Sequence, residues 1–96
     1  EWALQEAMRI VKRMLKETGV KGFLFGSRAR GDERRFSDID IALSAADGPV
    51  PGSLMALLSE AFEISRIPFH VDLIDLDSSG VELKRTVEDE GIEWTD

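Results

Sequence analysis

Apolar residues recur at three- and four-residue intervals at the start of the chain. Leu4, Met8, Val11 and Leu15 form the stripe, Ala7 and Met14 fill the same face, and Gly19 follows as a stop. This spacing predicts an amphipathic helix over residues 2–18. The pattern then shortens: VKGFLF is a brief apolar run leading into Gly26-Ser27, and ARG suits a single helical turn before the polar loop DERRFS. In IDIALS the period is two. Ile39, Ile41 and Leu43 fall on one side of a strand, and Asp38, Asp40 and Ala42 on the other.

The Gly- and Pro-rich AADGPVPG reads as a loop. Beyond it, Ser53 is a candidate N-cap for a helix whose buried stripe is Leu54, Leu57, Leu58, Ala61 and Phe62. Pro68 separates that helix from FHVDLIDL, a strand with Phe69, Val71 and Leu73 on one face and His70, Asp72 and Ile74 on the other. A capping box from Ser79 to Glu82 opens a last helix that stops at Gly91, and residues 92–94 suit a short closing strand. The expected fold is one α/β domain over residues 1–96, a small mixed sheet of three to four strands with helices packed on one face. Asp38, Asp40 and Asp72 then meet on the opposite face.

Charge sharpens this picture. The 96 residues carry a formal net charge of −7, which argues against direct nucleic-acid binding. Residues 72–96 alone hold nine acidic side chains against Lys84 and Arg85, so residues 1–71 balance to zero. Within that neutral part, Arg28, Arg30, Arg34 and Arg35 crowd into one eight-residue window. They make either a patch for a negative ligand or a solvated loop neutralised by Asp32 and Glu33. With no cysteine, any metal must use oxygen ligands or His70, and a reducing compartment suits the chain. No apolar run approaches a membrane span and no leader precedes the first helix, so a cytoplasmic protein with no membrane partner is expected.

Arginines attract phosphate and paired aspartates repel it, so a site needing both most simply holds a phosphorylated ligand bridged to the carboxylates by a divalent ion. A Gly-Ser turn between strand and helix lets backbone N–H groups and a hydroxyl approach an anion, although most such turns only reverse the chain. Gly26 and Gly31 have Walker A spacing, but Asp32 and Glu33 stand where Lys and Ser/Thr are required. No strand is followed by GxGxxG, and no EF-hand register exists. Magnesium takes one or two carboxylates and leaves its other positions to water and phosphate. Asp38 and Asp40 can share one ion, and Asp72 allows a second about 4 Å away. An isolated acidic pair is otherwise an exposed strand face, as expected for Asp75 and Asp77. His70, on the parity of Asp72, is either a rim residue or surface packing.

The combination GS, ten residues, DID and a later VDL resembles the nucleotidyltransferase superfamily with the DNA polymerase β-like fold. FGSRARG followed by SDIDIAL is similar to its minimal nucleotidyltransferases, and the likeness extends to the acidic helix ending in EDEGIEW. The resemblance implies nucleotide phosphate binding by Gly26 and Ser27, with Arg28 and Arg30 as further phosphate contacts. It implies that Asp38, Asp40 and Asp72 are catalytic and hold Mg²⁺, as two ions. The implied reaction is transfer of a nucleoside monophosphate, AMP from ATP, to an acceptor hydroxyl. Minimal nucleotidyltransferases resemble the antitoxins of HEPN/MNT toxin–antitoxin modules, which adenylylate an RNase toxin. A HEPN-type toxin is thus the implied partner, in a homo- or hetero-oligomer, because the chain has no room for an acceptor-binding domain. Two other readings stay open: a non-catalytic binding module and an enzyme acting on a small-molecule hydroxyl.

Overall fold

Ala7, Val11 and Leu15 bury the stripe of the first helix, α1 (Trp2–Leu15), together with Ala3 and Ile10. The computed structural model describes residues 2–95. α1 ends short of Gly19 because Glu17 turns to φ 63°. The Leu15 carbonyl then accepts from both the backbone N–H (3.1 Å) and the hydroxyl (2.6 Å) of Thr18. The chain enters β1 (Val20–Phe25), makes one helical turn, α2 (Ser27–Arg30), and returns as β2 (Ile39–Ala45). The remaining elements are α3 (Gly52–Ile64), β3 (Val71–Asp75), a 3₁₀ turn at Leu76–Ser78, α4 (Val81–Glu90) and the two-residue β4 (Ile92–Glu93).

The four strands form one mixed sheet in the order β3-β2-β1-β4. β1 pairs antiparallel with both β2 and β4, while β2 and β3 run parallel. Parallel neighbours need a crossover, and α3 supplies it. One face of the sheet carries Ile39, Ile41 and Leu43, all fully buried, with Val71 and Leu73 beside them against α1 and α3. On the same face, a Cβ at Gly22 would come within 2.8 Å of Val11 Cγ1, so glycine lets α1 lie directly on β1.

The other face is not bare. Phe25, Ala42 and Val87 are buried there, with Phe23, Ile74, Leu76 and Leu83 packed around them. The expectation of helices on one face alone is therefore corrected: α1 and α3 cover one face and α4 part of the other. Ile74 and Ala42 share the parity of Asp72 and Asp40 but lie further along their strands, where an apolar helix face can cover them. The α/β class and mixed sheet are as the pattern predicts.

Three local expectations also change. Ser53 does not cap α3; the Pro51 carbonyl begins it by accepting from Leu54 and Met55 N–H at 3.1 Å. Ser79 does not cap α4, whose N-cap is Gly80; its hydroxyl donates to the Asp75 carbonyl at 3.0 Å. Asp75 is no loose surface charge. Its carboxylate accepts from Val50 N–H (3.0 Å), Asp77 N–H (3.0 Å) and Ser78 Oγ (3.3 Å), because the 3₁₀ turn folds those last two donors back onto it. Among the described residues, no helix is long and apolar enough to cross a membrane.

Candidate active site

β1 delivers the chain to Gly26 at the edge of α2, where the backbone adopts φ 78° and ψ −158°. This left-handed φ alone favours glycine, and a second constraint is independent of it. A Cβ at Gly26 would collide with Oδ2 of Asp40, so the turn lies directly against that carboxylate. The Gly26 carbonyl accepts from Ala29 and Arg30 N–H, each at 3.1 Å, closing the turn, and Gly31 ends it in the left-handed region with its N–H on the Ser27 carbonyl at 3.0 Å. No side chain caps the start of α2. The first N–H groups of a helix have no acceptor within it, which leaves the Ser27 end suited to an anion.

Asp40 pairs in register with Asp72 on the parallel strand and with Phe25 on the antiparallel one. The carboxylates of Asp40 and Asp72 therefore share a face. Asp38 lies just ahead of β2 and is exposed. Burial holds the Asp40 carboxyl above the usual carboxylate range, and the charges of Asp72 and then Asp38 push it the same way, while His70 and Arg28 oppose them. The three aspartates thus repel one another through Asp40. Among the described residues, no three His, Asp or Glu side chains stand together as a ready metal cage. The donor set is nonetheless all oxygen, at the end of the sheet where the Gly26 turn meets Asp40, and suits a hard divalent ion completed by water and phosphate.

The arginine window divides. Arg28 is buried: its Nε and Nη2 donate to the Ser37 carbonyl at 3.1 and 2.8 Å, and its guanidinium lies 4.3 Å over the Phe69 ring. Arg30 is exposed and pairs with Asp32 at 3.2 Å and Glu90 at 3.7 Å. Arg34 and Arg35 sit in the exposed loop, Arg35 over the Phe36 ring at 5.4 Å. The loop is thus partly self-neutralised by Asp32, and the open positive patch is smaller than its sequence suggests. His70 is exposed beside Asp72, close enough for its charge to act on Asp40. Ser37 and Phe69 escaped the sequence reading; a backbone carbonyl carries no side-chain signature, and Phe69 reads as ordinary strand packing. Grooves of about 500 Å³ lie elsewhere, one lined by Lys12, Lys16 and Lys21 and another by Val20, Leu54 and Leu57.

A Gly-Ser turn packed on the second aspartate of a DxD, with a third aspartate in register on the neighbouring strand, defines a nucleotidyltransferase core. Residues 10–94 match the family described as Polymerase beta, Nucleotidyltransferase, and the chain belongs to that family. A Haemophilus influenzae protein named Probable protein adenylyltransferase MntA is 30% identical over 84 residues, covering 85% of this chain and 73% of the relative. Among solved structures, a toxin–antitoxin with AMP-PNP matches with a TM-score of 0.71 at 30% identity, covering 91% of this chain and 71% of the other. A tri-AMPylated Shewanella oneidensis HEPN toxin in complex with MNT antitoxin matches with a TM-score of 0.65 at 27% identity, covering 94% of this chain and 70% of that one.

Proposed function

We propose that this nucleotidyltransferase moves AMP from ATP to a hydroxyl on a HEPN-type toxin, in the cytoplasm, and so acts as the toxin's antitoxin. The observation that carries the reading is the in-register pair Asp40 and Asp72 with Gly26 packed against Asp40. It brings a phosphate-compatible turn and two carboxylates to one end of the sheet. The likeness to an adenylyltransferase and to complexes containing AMP-PNP or an AMPylated toxin supports the choice of nucleotide and acceptor.

In this reading the Gly26 and Ser27 backbone and the Ser27 hydroxyl hold the terminal phosphates. Arg30, the last residue of α2, has an exposed head and can exchange Asp32 for a phosphate oxygen. Asp38, Asp40 and Asp72 would hold Mg²⁺, as one or two ions. When bound, the metal neutralises phosphate charge and activates oxygens. Asp72, exposed on the edge strand, orients the acceptor hydroxyl and can take its proton as the oxygen attacks the α-phosphorus and pyrophosphate leaves. Catalysis is then mainly positioning and charge neutralisation.

Intact-mass measurement of the co-purified partner, incubated with ATP and Mg²⁺, tests the reading. The expected result is a partner carrying one or more adenylyl groups, absent with Asp38→Ala or Asp40→Ala. A partner that binds but never gains that mass supports a stoichiometric binding module instead. The apolar residues Leu57 and Ile64, 54% and 78% exposed on α3, give such a module a surface to use.

A further inference from the structure

Among the described residues, Arg28 is the charged side chain that the structure buries, at 8% exposure. A buried guanidinium is unfavourable unless its charge and donors find partners. Its recorded partners lie on separate segments. The residue belongs to α2, its Nε and Nη2 both donate to the Ser37 carbonyl, and its planar head stacks over Phe69. Each segment carries a different part of the site: α2 follows Gly26, Ser37 precedes Asp38, and Phe69 precedes Asp72 on the same run of chain. The loop at 31–36 is exposed throughout, so no side chain of its own anchors it in the core. Asp38 stands outside β2 and outside its ladder. The Arg28 bonds to Ser37 tie this end of the loop to α2, next to the Ile39 N–H bond to the His70 carbonyl at 2.9 Å that ties β2 to the run leading into β3.

We propose that Arg28 is a positioning residue that sets Asp38 relative to Asp40 and Asp72 through the Ser37 carbonyl and the Phe69 ring, and is not a phosphate contact. Its bearing on the reaction rests on the nucleotidyl-transfer reading above. The geometry calls for arginine specifically. Two donors of one planar fork meet a single oxygen while the guanidinium carbon lies 4.3 Å over an aromatic ring, and a lysine ammonium offers no such fork and a less delocalised charge.

The test uses the whole chain as Arg28→Lys, Arg28→Met and Phe69→Leu. Hydrogen exchange without nucleotide should quicken by ~10-fold or more at the Ser37 and Ile39 amides, with Ile41 and Leu43 in the core of β2 unchanged, as a local opening predicts. Transfer of labelled AMP should lose ~100-fold in kcat from misplacement of an acidic group. The KM for ATP should stay within about threefold, since uniform substrate binding is not what is lost. Arg28→Lys should do no better than Arg28→Met, and Phe69→Leu should shift both readouts in the same direction. A raised KM with kcat kept, or rescue by lysine, would mean that Arg28 delivers charge to phosphate and would overturn the proposal. Faster exchange spread equally to Ile41 and Leu43 would reduce Arg28 to general stability and overturn it too. A parent protein that transfers nothing sinks the proposed reaction but leaves the exchange comparison, which alone then decides whether Arg28 holds Asp38.

Discussion

At the scale of single residues, Gly26 and Asp40 are one unit. The turn needs a left-handed φ, and the space a side chain would take holds the Asp40 carboxylate. Gly26→Ala must strain the backbone and push Asp40 aside, at a cost of roughly 1–3 kcal/mol. A thermal melt should show the loss, and ATP-dependent labelling of the partner should fall with it. Asp40→Asn should act in the opposite sense on stability. Burial, then the charges of Asp72 and Asp38, hold its carboxyl above the ordinary aspartate value of 3.8. The folded state therefore holds the proton more tightly than the unfolded one. Stability falls as pH rises from the unfolded value through the folded value, and the deficit persists above it. In chelator near neutral pH the asparagine variant should melt roughly 2–6 °C higher than its parent. The gap should close below about pH 3.8, where both side chains are neutral in either state. Added Mg²⁺ should stabilise the parent more than the variant. A variant that melts no higher in chelator would show that the three aspartates do not repel one another as described.

Among elements, the sheet was legible because its periods are clean. Ile39, Ile41 and Leu43 alternate with Asp40 and Ala42, and that parity is the one observed. The same parity brought Asp40 and Asp72 to one face. What the pattern did not reveal was the second use of that face, since Leu83 and Val87 on a short acidic helix give no sign of which side of the sheet they will cover. Nor could alternation assign Asp75, whose role arises from the turn after it. Asp75→Ala leaves the N–H of the buried Val50 without this acceptor and frees the turn at Leu76–Ser78. A loss of about 1–3 kcal/mol is expected for the orphaned buried donor, measurable by urea titration. Transfer activity per folded molecule should be retained, because Asp75 faces away from Asp72. Loss of activity without loss of stability would place Asp75 in the site instead.

For the whole molecule, the uneven charge of the sequence matters more than its sum. The excess of −7 lies in residues 72–96, and α4, with four acidic residues against Lys84 and Arg85, brings −2 of it to the side of the sheet that bears Asp40 and Asp72. A basic partner would be drawn to that side, so its association should be steered by charge. Raising salt from about 50 to 500 mM should slow capture by roughly tenfold while slowing dissociation little, as stopped-flow or surface-binding kinetics would record. Equal rates at both salts would assign recognition to apolar surface such as Leu57 and Ile64. The arginine window shows where charge counting fails: four cations in sequence become one buried brace, one ion-paired head and two loop residues once the chain is folded.

The strand order also dictates when the pieces come together. Gly26, Asp38 and Asp40 belong to one antiparallel hairpin, β1 with β2, whereas Asp72 joins only after α3 has carried the chain over to the parallel β3. Hairpins close in about 1–10 μs, and parallel pairing across a crossover is slower because a longer loop must be ordered first. On these rates, the pairing that brings Asp72 beside Asp40 is the slower step in assembling the site. In the proposed mechanism, the two carboxylates of the hairpin would be in place for a cation before Asp72 could align an acceptor. If Asp72 acts as proposed, recovery of transfer activity after dilution from denaturant should follow the docking of β3, not the closing of the hairpin.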